Sequence, residues 1–299
     1  MKIRANGIDI EVEDTGVDGS QAGRPVVLLI MGLGMQLVAW PMTFVQALVD
    51  AGFRVIRHDN RDIGLTQHMD GLGTPNVLWE SLKLKLGFRV RAPYTVGDMA
   101  ADAVGVLDAL GIGKAHIVGV SMGGMIAQRV AIAAPQKVLS LTSIMSSSGA
   151  RGLPEPKPHV VRALLSRPAG KSRDDVITHF MKVLRVIGSP GFPIGDDLLR
   201  ERIAMGIDRN FHPAGTLRQL VAIGADTPGR AAELARITVP TLVIHGKADV
   251  LVPFGCGEDT ARRIAGAKLV AIEGMGHDLA PGVVDGILPP LIEHMRQHS

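Results

Sequence analysis

The chain has 299 residues, 46% of them apolar and 20% charged, which suits one large buried core with a smaller appended unit and excludes broad disorder. A formal charge of +3 without any Lys/Arg block, and only 3% aromatics, offer no stacking platform or phosphate-tracking stripe, so no nucleic-acid partner is expected. One cysteine, Cys256, excludes an internal disulfide and a cysteine metal cluster; with no apolar leader and no run long enough to span a bilayer, a cytoplasmic protein without membrane insertion is expected.

Asn6-Gly7 is a strong hairpin signal, and Ile8 to Glu13 alternates apolar and charged residues, the mark of a strand with one wet face. The pattern then changes. Val26 to Met31, Phe53 to Ile56, Ala115 to Val118, Val138 to Leu141 and Thr241 to Ile244 are short, nearly continuous apolar runs. Such runs suit parallel strands covered on both faces. Between them, Thr95 to Leu110 has helical apolar spacing, with Thr95 able to cap its start, Gly111 its end, and Asp98, Asp102 and Asp108 off the apolar stripe. The alternation predicts an α/β fold, a mostly parallel sheet with helices on both faces.

From about 146 to 230 the regime shifts. Pro154, Pro156, Pro158 and Pro168 punctuate it, Asp174 to Ile187 is amphipathic, and no buried-strand run appears. Between 151 and 230 there are 13 Lys and Arg against 8 Asp and Glu, so this stretch carries +5 and the rest −2. The expectation is a helical lid, 146–230, inserted after the sixth strand into a core formed by 1–145 and 231–299. Its charge suits a solvated basic face better than a steering field for acidic substrates.

The decisive segment is Ala115 to Gly124, followed by Met125 to Ala134: a buried strand runs directly into a helix with Gly119-Val120-Ser121-Met122-Gly123 at the joint. In that setting the spacing describes a tight elbow that lifts Ser121 above the sheet, with Gly119 and Gly123 where side chains would collide and Gly124 letting the helix approach the strands. The free N–H groups of the helix start favour a developing negative charge there.

On these residues the chain resembles the α/β-hydrolases, over nearly all of its length outside the insert. The resemblance implies an acid after a late strand and a histidine after the last. Val239 to Asp249 is a strand ending in Gly246-Lys247-Ala248-Asp249, and Lys268 to Ile272 leads to Glu273-Gly274-Met275-Gly276-His277. The order Ser121, Asp249, His277 is the one this fold uses. Chemically, His277 is expected to take the serine proton during attack and Asp249 to fix and stabilise the imidazole.

A tetrahedral intermediate needs two N–H donors: one is expected from Met122, after the nucleophile, and by resemblance the other from Leu33 in Met31-Gly32-Leu33-Gly34. Met31 stands where the family commonly has histidine, a departure that resembles an esterase branch including anthracycline methylesterases and enol-lactone hydrolases. His58 to Thr66 resembles the family's D-x-R-G-x-G-x-S turn with Asp62 in place of glycine; Arg61 is expected to anchor structure. Asp278 is expected to be a solvated or supporting charge, and His245 and His116 to be packed and hydrogen-bonded. Neither a metal-ligand spacing nor a phosphate loop stands out, so no cofactor is implied.

The function expected is hydrolysis of a small or medium carboxylic ester or lactone through an acyl-enzyme. Two alternatives remain: the same three groups serving C–C bond hydrolysis or cofactor-free perhydrolysis, and a non-catalytic binding protein on the same fold. The sequence leaves the substrate and any homo-oligomer open.

Overall fold

Asn6 and Gly7 both take positive φ, 46° and 77°, and this mirror-image turn joins β1 (Lys2–Ala5) to β2 (Ile8–Asp14) as the sequence predicts. The computed structural model describes residues 1–299 apart from the side chain of residue 228. Six further strands follow: β3 (Val26–Ile30), β4 (Arg54–His58), β5 (Ala115–Val120), β6 (Val138–Ile144), β7 (Thr241–Gly246) and β8 (Lys268–Ile272). They form one sheet in the order β1-β2-β4-β3-β5-β6-β7-β8, antiparallel at β1/β2 and β2/β4 and parallel from β4 to β8.

The continuous apolar runs are explained by cover on both faces. In β3, Val26, Leu28 and Ile30 pack with α3 (Val96–Ala109) and α4 (Met122–Ala133), while Val27 and Leu29 pack with α1 (Met42–Asp50) and α10 (Pro281–Arg296). Thr95 caps α3 in a reciprocal capping box with Asp98. Asp102 departs from its expected place. It is buried, because Arg61 reaches both of its carboxylate oxygens at 2.6 Å from across the β4 loop. Arg61 is therefore an anchor, tying that loop to α3. The remaining core-side helices are α2 (Val77–Lys85), packed against the insert, and α9 (Phe254–Arg263), packed against β7. Among the described residues no helix is long and apolar enough to cross a membrane.

Between β6 and β7 the chain makes α5 (Pro158–Leu164), α6 (Arg173–Ile187), α7 (Asp196–Arg209) and α8 (Pro213–Glu233), with no strand among the described residues of that insert. Part of its positive charge is already committed. Arg173 pairs with Asp208 and Arg200 with Asp174 inside the insert, while Arg209 and Arg218 reach the core carboxylates of Asp59 and Asp62. A charge spent on short contacts projects little field into solvent.

Three buried histidines set the acid limit of this fold. Burial holds His58 (β4), His116 (β5) and His294 (α10) down to about 4 from an ordinary 6.5. As pH falls below 6.5 the unfolded chain binds these protons first, while the folded chain refuses them until about 4. Stability is therefore expected to decline steadily through that window. His58 alone contributes a slope of up to about 1.4 kcal/mol per pH unit. Urea denaturation from neutral pH downward checks this, and His58→Asn is expected to make the slope shallower. A flat stability profile across the window would contradict it.

Candidate active site

Ser121 sits at the joint of β5 and α4 with φ 55° and ψ −121°, a conformation that a non-glycine residue adopts only under constraint. The constraint is visible in its neighbours. A Cβ on Gly119 would lie 2.1 Å from the Gly123 carbonyl oxygen, and one on Gly123 would lie 2.0 Å from the Ile30 carbonyl oxygen. Only glycine fits at either place, so the elbow closes against β3. The Ser121 N–H donates to the Ile144 carbonyl at 2.9 Å, and the Ser146 hydroxyl donates to the Ser121 carbonyl at 2.7 Å, fixing the turn to β6.

The structure brings the three residues singled out in the sequence together. His277 Nε2 lies 3.0 Å from Ser121 Oγ, and its Nδ1 lies 2.7 Å from Asp249 Oδ2. A carboxylate only accepts, so Nδ1 carries the proton and Nε2 is left with a lone pair facing the serine hydroxyl. The other carboxylate oxygen of Asp249 accepts from the N–H groups of Leu251 and Val252 at 2.9 and 2.8 Å, which orients the acid. Beneath it, buried His245 lies 2.7 Å from the Val252 carbonyl and 3.7 Å from Asp249, and burial pushes its pKa down. His116 is likewise packed, with its Nδ1 2.8 Å from the Ser140 hydroxyl.

Asp278 is a supporting group. Its carboxylate accepts from the Ser189 N–H at 3.0 Å and the Ser189 hydroxyl at 2.6 Å, while Ser189 Oγ accepts from the Gly276 N–H at 2.8 Å. With the His277 N–H donating to the Ile187 carbonyl at 2.7 Å, the histidine loop is stitched to the end of α6.

The loop after β3 closes the other side. A Cβ on Gly32 would be 3.2 Å from Ser121 Cβ and 3.7 Å from Oγ, so this backbone lies directly beside the serine. The N–H groups of Leu33 and Met122 make no hydrogen bond among the described residues, which leaves both as available donors. Met31 buries its side chain in the core, while its carbonyl accepts from Asn60 Nδ2 at 2.8 Å.

Two residues of α8 complete this support, and the sequence did not indicate either. Gln219, fully buried, accepts the Gly34 N–H at 2.9 Å and donates to the Arg61 carbonyl at 3.0 Å. Arg218 meets both carboxylate oxygens of Asp62, at 2.5 and 2.8 Å, and Asp62 also accepts from the Tyr94 hydroxyl at 3.0 Å and the Met69 N–H at 2.9 Å. Asp62 keeps the positive φ, 75°, of a glycine position while supplying a buried anion. The one sequence signal for this was the departure from glycine; its partner lies in the insert, too far along the chain to be paired by inspection.

His68, Asp70 and His212 also lie close together. The two imidazoles are stacked, 3.8 Å apart and 8° from parallel, so their lone pairs run along parallel planes and do not converge on one ion. Arg218 already holds Asp70 at 2.9 Å. The group fits a structural cluster better than a metal site.

A family profile described as the alpha/beta hydrolase fold matches residues 25–175. Rhodomycin D methylesterase DauP from Streptomyces sp. (strain C5) is 31% identical over 93% of this chain and 93% of its own. A 2-hydroxy-6-oxononadienedioate/2-hydroxy-6-oxononatrienedioate hydrolase from Cupriavidus pinatubonensis is 29% identical over 90% of this chain and 84% of its own. Among solved structures, the enol-lactonase from Burkholderia xenovorans LB400 superposes with a TM-score of 0.71 at 19% identity, covering 99% of this chain and 100% of that one. The chain belongs to the α/β-hydrolase fold family.

Proposed function

We propose that the protein hydrolyses a carboxylic ester or lactone of small or medium size, with Ser121 as nucleophile, His277 as general base and Asp249 as its orienting acid. The observation that carries this reading is the continuous hydrogen-bonded line from Ser121 Oγ through His277 to Asp249. Attack by Ser121 on the carbonyl carbon passes its proton to His277 Nε2, and the oxyanion is received by the N–H groups of Leu33 and Met122. His277 then protonates the leaving alcohol. Water, activated by the same nitrogen, releases the acid and restores the serine. The core, 1–145 with 231–299, supplies the chemistry, and the insert 146–230 acts as a lid that shapes the acyl and alcohol subsites.

An ester is favoured as substrate by the relatives named as methylesterases, 31% and 30% identical over 93% of the chain. C–C bond hydrolysis is the second reading, favoured by the relatives named as hydrolases of 2-hydroxy-6-oxo dienedioates. Parallel assays on methyl and p-nitrophenyl esters and on a vinylogous diketone, with Ser121→Ala as control, test both. Serine-dependent turnover of the diketone alone would displace the ester reading, and no labelling of folded protein by a fluorophosphonate would remove both.

Gln219 offers a separate check on the oxyanion assignment. Gln219→Ala frees the Gly34 N–H and loosens the loop carrying Leu33, so kcat on esters is expected to fall about tenfold with KM little changed. Fluorophosphonate labelling and thermal stability report whether the protein is still folded. An unchanged kcat would place the donor elsewhere.

A further inference from the structure

Five large apolar side chains, Leu78, Trp79, Leu82, Leu86 and Phe88, fall within one short stretch and are between 46% and 74% exposed. Leu78, Leu82 and Leu86 recur at four-residue steps and so form one stripe along α2 and its C-cap. The opposite side of α2 faces α8, where a Cβ on Gly224 would lie 3.7 Å from Leu84 Cδ2 and 4.0 Å from Val90 Cγ1. Phe88 is held beside the stripe by an ordered helix end, its N–H donating to the Lys83 carbonyl at 2.8 Å and that of Gly87 to Leu84 at 3.1 Å.

The charges interleaved with these residues identify what the surface suits. Residues 77–91 contain Lys83, Lys85, Arg89 and Arg91 against Glu80 alone, a net +3. Lys85, Arg89 and Arg91 are exposed, while Lys83 pairs with Glu80 and lies 5.8 Å from the Trp79 ring centre. A symmetric contact with a second copy would press +3 against +3. An anionic bilayer surface satisfies both components, since leucines and aromatic rings enter the headgroup boundary while the cations meet lipid phosphates. We propose that α2 and the residues that follow it, through Arg91, form a peripheral docking surface for anionic phospholipid membranes. The protein adsorbs through this face and spans nothing.

The chain itself supplies the reporter. It has two tryptophans, and Trp40 is buried against Phe44, so a change in emission on docking comes from Trp79. The full chain is mixed with phosphatidylcholine vesicles, with and without about a third phosphatidylglycerol, and followed by co-sedimentation and tryptophan emission. Pelleting and a blue shift are expected with the anionic vesicles. Binding is expected to weaken at least about tenfold in Arg89→Glu/Arg91→Glu or at high salt, and to vanish in Trp79→Ser/Phe88→Ser with an unchanged thermal melt. No pelleting with anionic vesicles, or equal pelleting of the Trp79→Ser/Phe88→Ser variant, would overturn the proposal. So would a dimer in sedimentation velocity that the same variant dissolves, which would assign the face to a second copy.

Discussion

Ser121→Ala is expected to lower kcat on p-nitrophenyl butyrate by a factor on the order of 10⁶, the loss typical when a working nucleophile is removed. The size follows from what remains. Without Oγ, His277 Nε2 faces no hydroxyl, and in the mechanism proposed above only binding and the N–H groups of Leu33 and Met122 remain to assist attack by water. Alanine keeps the Cβ and adds nothing to an elbow already at φ 55°, so folding should be preserved. Matched thermal melts of the two proteins verify that. Activity retained within tenfold would mean that Ser121 is not the nucleophile.

The second large effect is on stability. Arg218→Met is expected to cost roughly 3–5 kcal/mol of unfolding free energy in urea titrations, because it leaves the Asp62 carboxylate buried without its cation. Asp62 is fully buried and Arg218 nearly so, and the nearby Tyr94 hydroxyl and Met69 N–H do not balance a full charge. Burial beside this carboxylate also pushes the Tyr94 hydroxyl pKa far upward, so it stays neutral and donates. Adding Asp62→Gly to Arg218→Met removes the stranded anion and suits the positive φ, so most of the loss should return. If the single and double variants are equally unstable, the pair is not what holds α8 to the core.

The sequence made the parallel sheet, the elbow and the order of the three site residues legible because each is written in local pattern. An apolar run entering Gly119-Val120-Ser121-Met122-Gly123 admits few conformations, and the collisions that exclude side chains at Gly119 and Gly123 occur within the elbow or with the adjacent strand. What stayed hidden depends on distance along the chain. Asp102 reads as lying off the apolar stripe, since nothing local shows Arg61 folding over it. Asp62 was visible as a departure, but Arg218 as its partner was not, and Gln219 looked like any polar residue on an insert helix. The positive charge of the insert could be counted, yet the pairing of its Arg209 and Arg218 with Asp59 and Asp62 needed the fold.

The insert is more than a cover laid on a finished platform. Its α8 grips the loop at Gly34 through Gln219 and the turn at Asp62 through Arg218, and the end of α6 holds the loop of His277 through Ile187 and Ser189. Exchanging the insert for a foreign one would therefore strip the loops of Gly34, Asp62 and His277 of the holds that fix their positions around Ser121.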